Sequence, residues 1–107
     1  MGGSRFRKKY EYGRRANETN RICLILGLIQ GKPKSDLPEQ MVWVGENYPH
    51  HMFYHIAPMG ATVSLNIKSS CPAAGVEGSS VEIFARTKQN RDLAKKVVEE
   101  YLEFKLK

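Results

Sequence analysis

The chain is poor in the residues that mark secreted, membrane or metal proteins. Its 107 residues include two cysteines, Cys23 and Cys71. They share no paired spacing and stand in different contexts, so free thiols in a reducing compartment are expected rather than a disulfide. No apolar run approaches the ~20 residues that span a bilayer. The basic residues near Met1 lead into no long apolar region of the kind a secretory signal carries. The expectation is an intracellular protein, nuclear or cytoplasmic, with no membrane role. His51 and His55 lie four apart, but no third ligand is near and neither cysteine has a companion, so no metal site is expected. Gly31-Lys32-Pro33-Lys34-Ser35 lacks the second glycine that a Walker loop places before its Lys-Ser/Thr pair. Cys71 stands in a polar loop with no local base to lower its pKa. There is no carboxylate pair and no triad spacing. The chain is therefore expected to be a non-enzyme without a cofactor.

What is present is charge, unevenly placed. The net charge is +6, and residues 1–21 hold seven basic residues against Glu11 and Glu18, which is +5 of that total. The remainder is close to neutral. Residues 5–15 interleave cations with aromatics: Arg5, Arg7, Lys8, Lys9, Arg14 and Arg15 with Phe6, Tyr10 and Tyr12. Cations neutralise phosphates, and tyrosine rings can stack on bases. Residues 1–20 are expected to be a basic, flexible arm, and residues 21–107 a single domain. Arg5, Arg7, Lys8, Lys9, Tyr10, Tyr12, Arg14 and Arg15 are candidate nucleic-acid contacts, with Lys32 and Lys34 as loop contacts. The other use for such an arm is solubility.

The body of the chain is patterned for a helix on a sheet. Val81–Arg86 alternates like a strand. After Thr87 the period changes to about 3.6. Leu93, Ala94, Val97, Val98, Tyr101 and Leu102 share one side, with Leu106 continuing the stripe, so a helix is predicted over about 88–104. Thr87 is its predicted N-cap, and Asp92 with Lys96 is a pair four apart. Ala61–Ile67 alternates as a half-buried strand, and Met41–Val44 is a short one. Residues 50–57 fit either a short helix started by Pro49 or a strand. Ile22–Ile29 is apolar throughout, so period cannot decide its state; its β-branched content and Gly27 lean towards a strand. Lys68–Ser80 is small and polar and is expected to be a loop.

Met59-Gly60-Ala61-Thr62-Val63-Ser64-Leu65, then Val81-Glu82-Ile83-Phe84, Thr87 and the helix from Leu93 to Leu102 resemble the last strands and final helix of a type I KH domain. The resemblance covers about residues 52–104. It implies an RNA-binding module that clamps the nucleic-acid backbone with a G-x-x-G loop between its first two helices. Gly27–Ser35 faintly resembles the region of that loop, with Lys34 in place of the second glycine. Gly45–Tyr48 also lacks a second glycine. A degenerate KH-like domain serving protein contacts is therefore the alternative. A weaker similarity is to double-stranded-RNA-binding domains, with a helix at 18–30 and strands at Met41, His51 and Ala61. There the strand at Val81–Arg86 is one too many.

Together these features predict an α+β domain, with a mainly antiparallel sheet of three or four strands and a C-terminal amphipathic helix on one face. The expected function is RNA or single-stranded DNA binding without catalysis. The rival is a protein-interaction adaptor using exposed Trp43, Tyr48, Met52, Phe53 and Phe84.

Overall fold

The computed structural model describes residues 6–12, 18–47, 51–67 and 79–107. Along these run β1 (Phe6–Tyr12), α1 (Glu18–Gly31), β2 (Met41–Asn47), β3 (His51–Ile56), β4 (Ala61–Ile67), β5 (Ser79–Ala85) and α2 (Lys88–Leu102). The strands form one antiparallel sheet in the order β1-β5-β4-β3-β2. The α+β class and the C-terminal helix on the sheet agree with the sequence. The sheet has five strands, not three or four.

The fifth strand comes from the segment expected to be an arm. Residues 6–12 pair along their whole length with β5, from Phe6 opposite Ala85 to Tyr12 opposite Ser79. A strand this rich in lysine and arginine suits a sheet edge, where charge discourages pairing with other chains. Residues 18–20 belong to α1, so the arm ends well before residue 20.

Residues 22–29 are helical. Ile22, Leu26 and Ile29 are buried, at i, i+4 and i+7, and Ile25 packs beside them. Leu24 and Leu28 are 70% exposed. The β-branched residues that leaned towards a strand are tolerated because they face the sheet. Residues 51–56 resolve as strand β3. Strand β5 begins at Ser79, inside the segment expected to be loop. The side chain of Cys23, and all of Cys71, lie outside the described residues.

The C-terminal helix follows its sequence. The Asn90 N–H donates to Thr87 Oγ1 at 3.0 Å, so Thr87 is the N-cap. Ala94, Val97, Val98 and Leu102 are buried. Asp92 pairs with Arg91 at 3.1 Å rather than with Lys96. The helix stops at Leu102 because Glu103 turns left-handed, with φ 53°. Leu106 is still buried, but it folds back after the helix: its N–H donates to Glu99 Oε2 at 2.8 Å.

Both helices pack on the same side of the sheet. Their buried residues join a core with Tyr10, Met52, Tyr54, Ile56, Ala61, Val63, Leu65, Val81, Ile83 and Ala85. Side chains alternate sides along each strand, so the residues between these point the other way. Among the described elements, none lies over that second side.

Candidate nucleic-acid interface

The open side follows from the register. On β3 it presents His51, Phe53 and His55; on β4, opposite them, Asn66, Ser64 and Thr62. Across β4 come Ser80, Glu82 and Phe84 of β5, then Glu11, Lys9 and Arg7 of β1. Val42 of β2 lies beside His55. Phe53 and Phe84 are half-buried among these shorter neighbours. Phe53 is opposite Ser64 and Phe84 is opposite Thr62, so the two rings flank β4 with a two-residue offset. Strands about 4.8 Å apart and a rise of about 3.4 Å per residue put the Cα atoms of Phe53 and Phe84 roughly 12 Å from each other.

The ring of His51 lies against Phe53, with centroids 4.4 Å apart and planes inclined by 31°. Its Nε2 also makes a short hydrogen bond with Ser64 Oγ. This pins the imidazole across two strands and widens the aromatic surface of Phe53. His51 and His55 share one side of a strand, with Phe53 between them.

The cations of this side are compensated. Arg7 Nε meets Glu82 Oε2 at 3.1 Å, and Lys9 Nζ lies 3.8 Å from Glu11 Oε2. Arg7 is well exposed, whereas the Glu82 side chain is only 19% exposed. Glu82 therefore holds the guanidinium at the margin of the aromatic surface. A phosphate reaching Arg7 would compete with that carboxylate.

The residues singled out from the sequence divide between the two sides. Arg7 and Lys9 are on the open side. Tyr10 is 7% exposed and belongs to the core, so its ring cannot stack on a base. Its partners are Lys8 Nζ at 5.7 Å and Lys95 Nζ at 5.6 Å from the ring centroid. Lys8 thus serves the helix side. Tyr12 also faces the helices: its ring meets Phe104 edge-on at 5.7 Å, and its hydroxyl accepts the Lys107 N–H at 3.2 Å. Arg5, Arg14 and Arg15 lie outside the described residues.

Lys32 and Lys34 occupy the turns after α1, and Lys32 Nζ is 3.6 Å from Asp36. That segment is fastened to the helix side, because the Tyr54 hydroxyl donates to the Pro33 carbonyl at 2.8 Å. Tyr54 is fully buried between Trp43 and Tyr101. Burial first, and then the neighbouring Tyr101, push its phenol well above the usual tyrosine range. Burial raises Tyr101 as well, against the opposing hydrogen bond from Tyr54. Lys32 and Lys34 are therefore not assembled with Arg7 and Lys9.

Of the apolar residues expected to be exposed, Met52 is in the core at 1% exposure. Trp43 is half-buried on the helix side, and Tyr48 lies outside the described residues. Phe53 and Phe84 are the pair that the open side brings forward. Sequence reading missed their pairing because they are 31 positions apart and meet only through the register of β4.

Among the described residues no helix is long and apolar enough to cross a membrane. Comparisons with protein-family models, with curated proteins and with solved structures found no match.

Proposed function

We propose that this chain is a non-catalytic module that binds RNA or another single-stranded nucleic acid on the open side of its sheet. One observation carries this reading: Phe53 and Phe84 flank β4 on the side that neither described helix covers, with Arg7 and Lys9 on the strand beside Phe84. Unpaired bases offer flat faces to aromatic side chains, and such stacking contributes roughly 1–3 kcal/mol per base. Four-stranded RNA-binding sheets use aromatics in the same way. Two rings set on alternate strands suit two splayed bases of a single strand, whereas a duplex keeps its base faces stacked. Thr62, opposite Phe84, and Asn66, at the other end of β4, supply hydroxyl and amide groups for base edges. Arg7 and Lys9 supply the phosphate contacts.

The KH-like expectation puts the backbone contact elsewhere, on the turns after α1 with Lys32 and Lys34. A second reading, a protein-interaction adaptor, is favoured by Val42 and Phe53 at the β2–β3 end of the open side, across the sheet from Arg7 and Lys9. One experiment separates the three. Fluorescence anisotropy is measured with single-stranded RNA, duplex RNA and single-stranded DNA on the wild type, on Phe53→Ala/Phe84→Ala and on Lys32→Gln/Lys34→Gln. Binding on the open side predicts a preference for single strands and a loss of roughly 1–3 kcal/mol per ring removed, with little change in the lysine variant. Loss confined to the lysine variant moves the site to the turns after α1. No binding by the wild type at near-physiological salt leaves the adaptor.

A further inference from the structure

The outer side of α1 is apolar in a way the monomer does not use. From Ile22 to Gly31 the helix contains no charged residue. Its inner side is in the core through Ile22, Leu26 and Ile29, yet Leu24 and Leu28 project outward and are 70% exposed. Gly27 and Gly31 are exposed next to them, and a Cβ added at either would meet no atom within 4 Å. A helix that is apolar on every side is normally buried on every side. Residues three and four apart share a helix surface, so Leu24, Gly27, Leu28 and Gly31 make one continuous strip of two large and two absent side chains. The strip continues into a cleft of about 640 Å³ between the helices, whose walls include Ile25, Leu37 and Tyr101.

We propose that this strip is a dimer interface, and that its occupant is α1 of a second copy, packed antiparallel. The strip is complementary to itself. In an antiparallel pairing with Leu28 over Gly27 of the second copy, Leu24 falls over Gly31, and the twofold axis repeats both contacts. Each leucine then enters the space left by a glycine, and the small residues let the helices approach closely. The strip itself carries no charge: Arg21 and Lys32 stand at its ends, and Asp36, Glu100 and Glu103 line the cleft beside it. Lys32 is compensated by Asp36 at 3.6 Å, so the charges beside the strip are mixed, and association through the leucines should depend little on salt. A nucleic-acid contact, by contrast, weakens with salt. One helix pair is small beside a standard interface of about 800 Å² per partner, so dimerisation is expected at roughly tens to hundreds of micromolar chain. The inference does not depend on the nucleic-acid reading, since α1 is on the other side of the sheet.

Sedimentation equilibrium of the full chain over a concentration series, at low and high salt, tests it with two variants. Leu24→Glu/Leu28→Glu should be monomeric wherever the wild type dimerises, with an unchanged far-UV spectrum. Gly27→Gln improves helix propensity at an open position, so its thermal midpoint should hold or rise while its association weakens at least tenfold. A wild type that stays monomeric to several hundred micromolar overturns the proposal. So does a Gly27→Gln variant that is folded and dimerises as the wild type does, or association that falls steeply with salt.

Discussion

Tyr54 is the residue on which several parts of the molecule converge. Its ring is buried between Trp43 and Tyr101, and its hydroxyl holds the Pro33 carbonyl. Replacing it with phenylalanine keeps the ring and removes the donor, leaving a carbonyl without that partner. A loss of about 1 kcal/mol is expected at neutral pH, read as a lower urea midpoint. The same residue has a pH signature. Its phenol and that of Tyr101 titrate higher in the folded chain than in the unfolded one. Above about pH 10, where a free tyrosine ionises, the unfolded chain releases protons that the folded chain retains. Stability from this source is complete below that pH and falls as pH rises through it. Tyr54→Phe should show a shallower alkaline decline than the wild type in parallel denaturation curves.

Among the elements, α2 was legible because three independent signals agree. These are the change of period after Thr87, the capping hydroxyl, and a stripe that ends in the core. Strand β4 was legible because Val63 and Leu65 alternate with Thr62 and Ser64. The helix α1 was not, because an unbroken apolar run has no period, and its outward Leu24 and Leu28 remove the contrast that a helix normally shows. Strand β1 was misread for a related reason. Its Arg7, Lys8 and Lys9 describe an edge strand as well as they describe a loose arm, and only Tyr10 is fully committed to the core. The two descriptions differ in a truncation. Removing residues 1–12 would take an edge strand, the buried ring of Tyr10 and the Tyr12–Phe104 contact out of the fold. A loss of stability of about 3–5 kcal/mol is expected, as for a large-to-small aromatic change in a core, and is read as a lower thermal midpoint. An arm that only carried charge would leave the midpoint where it was. Point substitutions at Arg7 and Lys9 are for this reason the cleaner test of electrostatics.

Over the whole molecule, the sheet separates two surfaces of different chemistry. One side is closed by helices. The other carries two half-buried rings, hydroxyls, and cations that face their own carboxylates. The charge asymmetry of the sequence pointed to a polyanionic partner, but it did not reveal that Glu82 and Glu11 stand beside Arg7 and Lys9, since those pairs depend on strand register. This near balance limits the electrostatic part of binding. Two phosphate contacts to a single strand give a slope of about −1.4 in log K against log salt, shallow for a chain of this net charge. Glu82→Gln frees Arg7 from its 3.1 Å partner and should tighten binding at low salt, with the gain fading as salt rises. Titrations at two salt concentrations measure both. A Glu82→Gln variant that binds no better would place the phosphates away from Arg7.

The strand order carries a consequence for how the molecule is made. Strands β2, β3 and β4 are neighbours in sequence and in the sheet, so they can assemble as soon as they leave the ribosome. Strand β1 is synthesised before all of them, yet among the described strands it pairs with β5, at the far end of the chain. During translation its row of backbone groups waits without a strand to receive it. The lysines and arginines that keep the finished edge from pairing with strangers also keep the nascent segment soluble through that interval. The same charges that guard the finished edge thus first act as the segment's own chaperone.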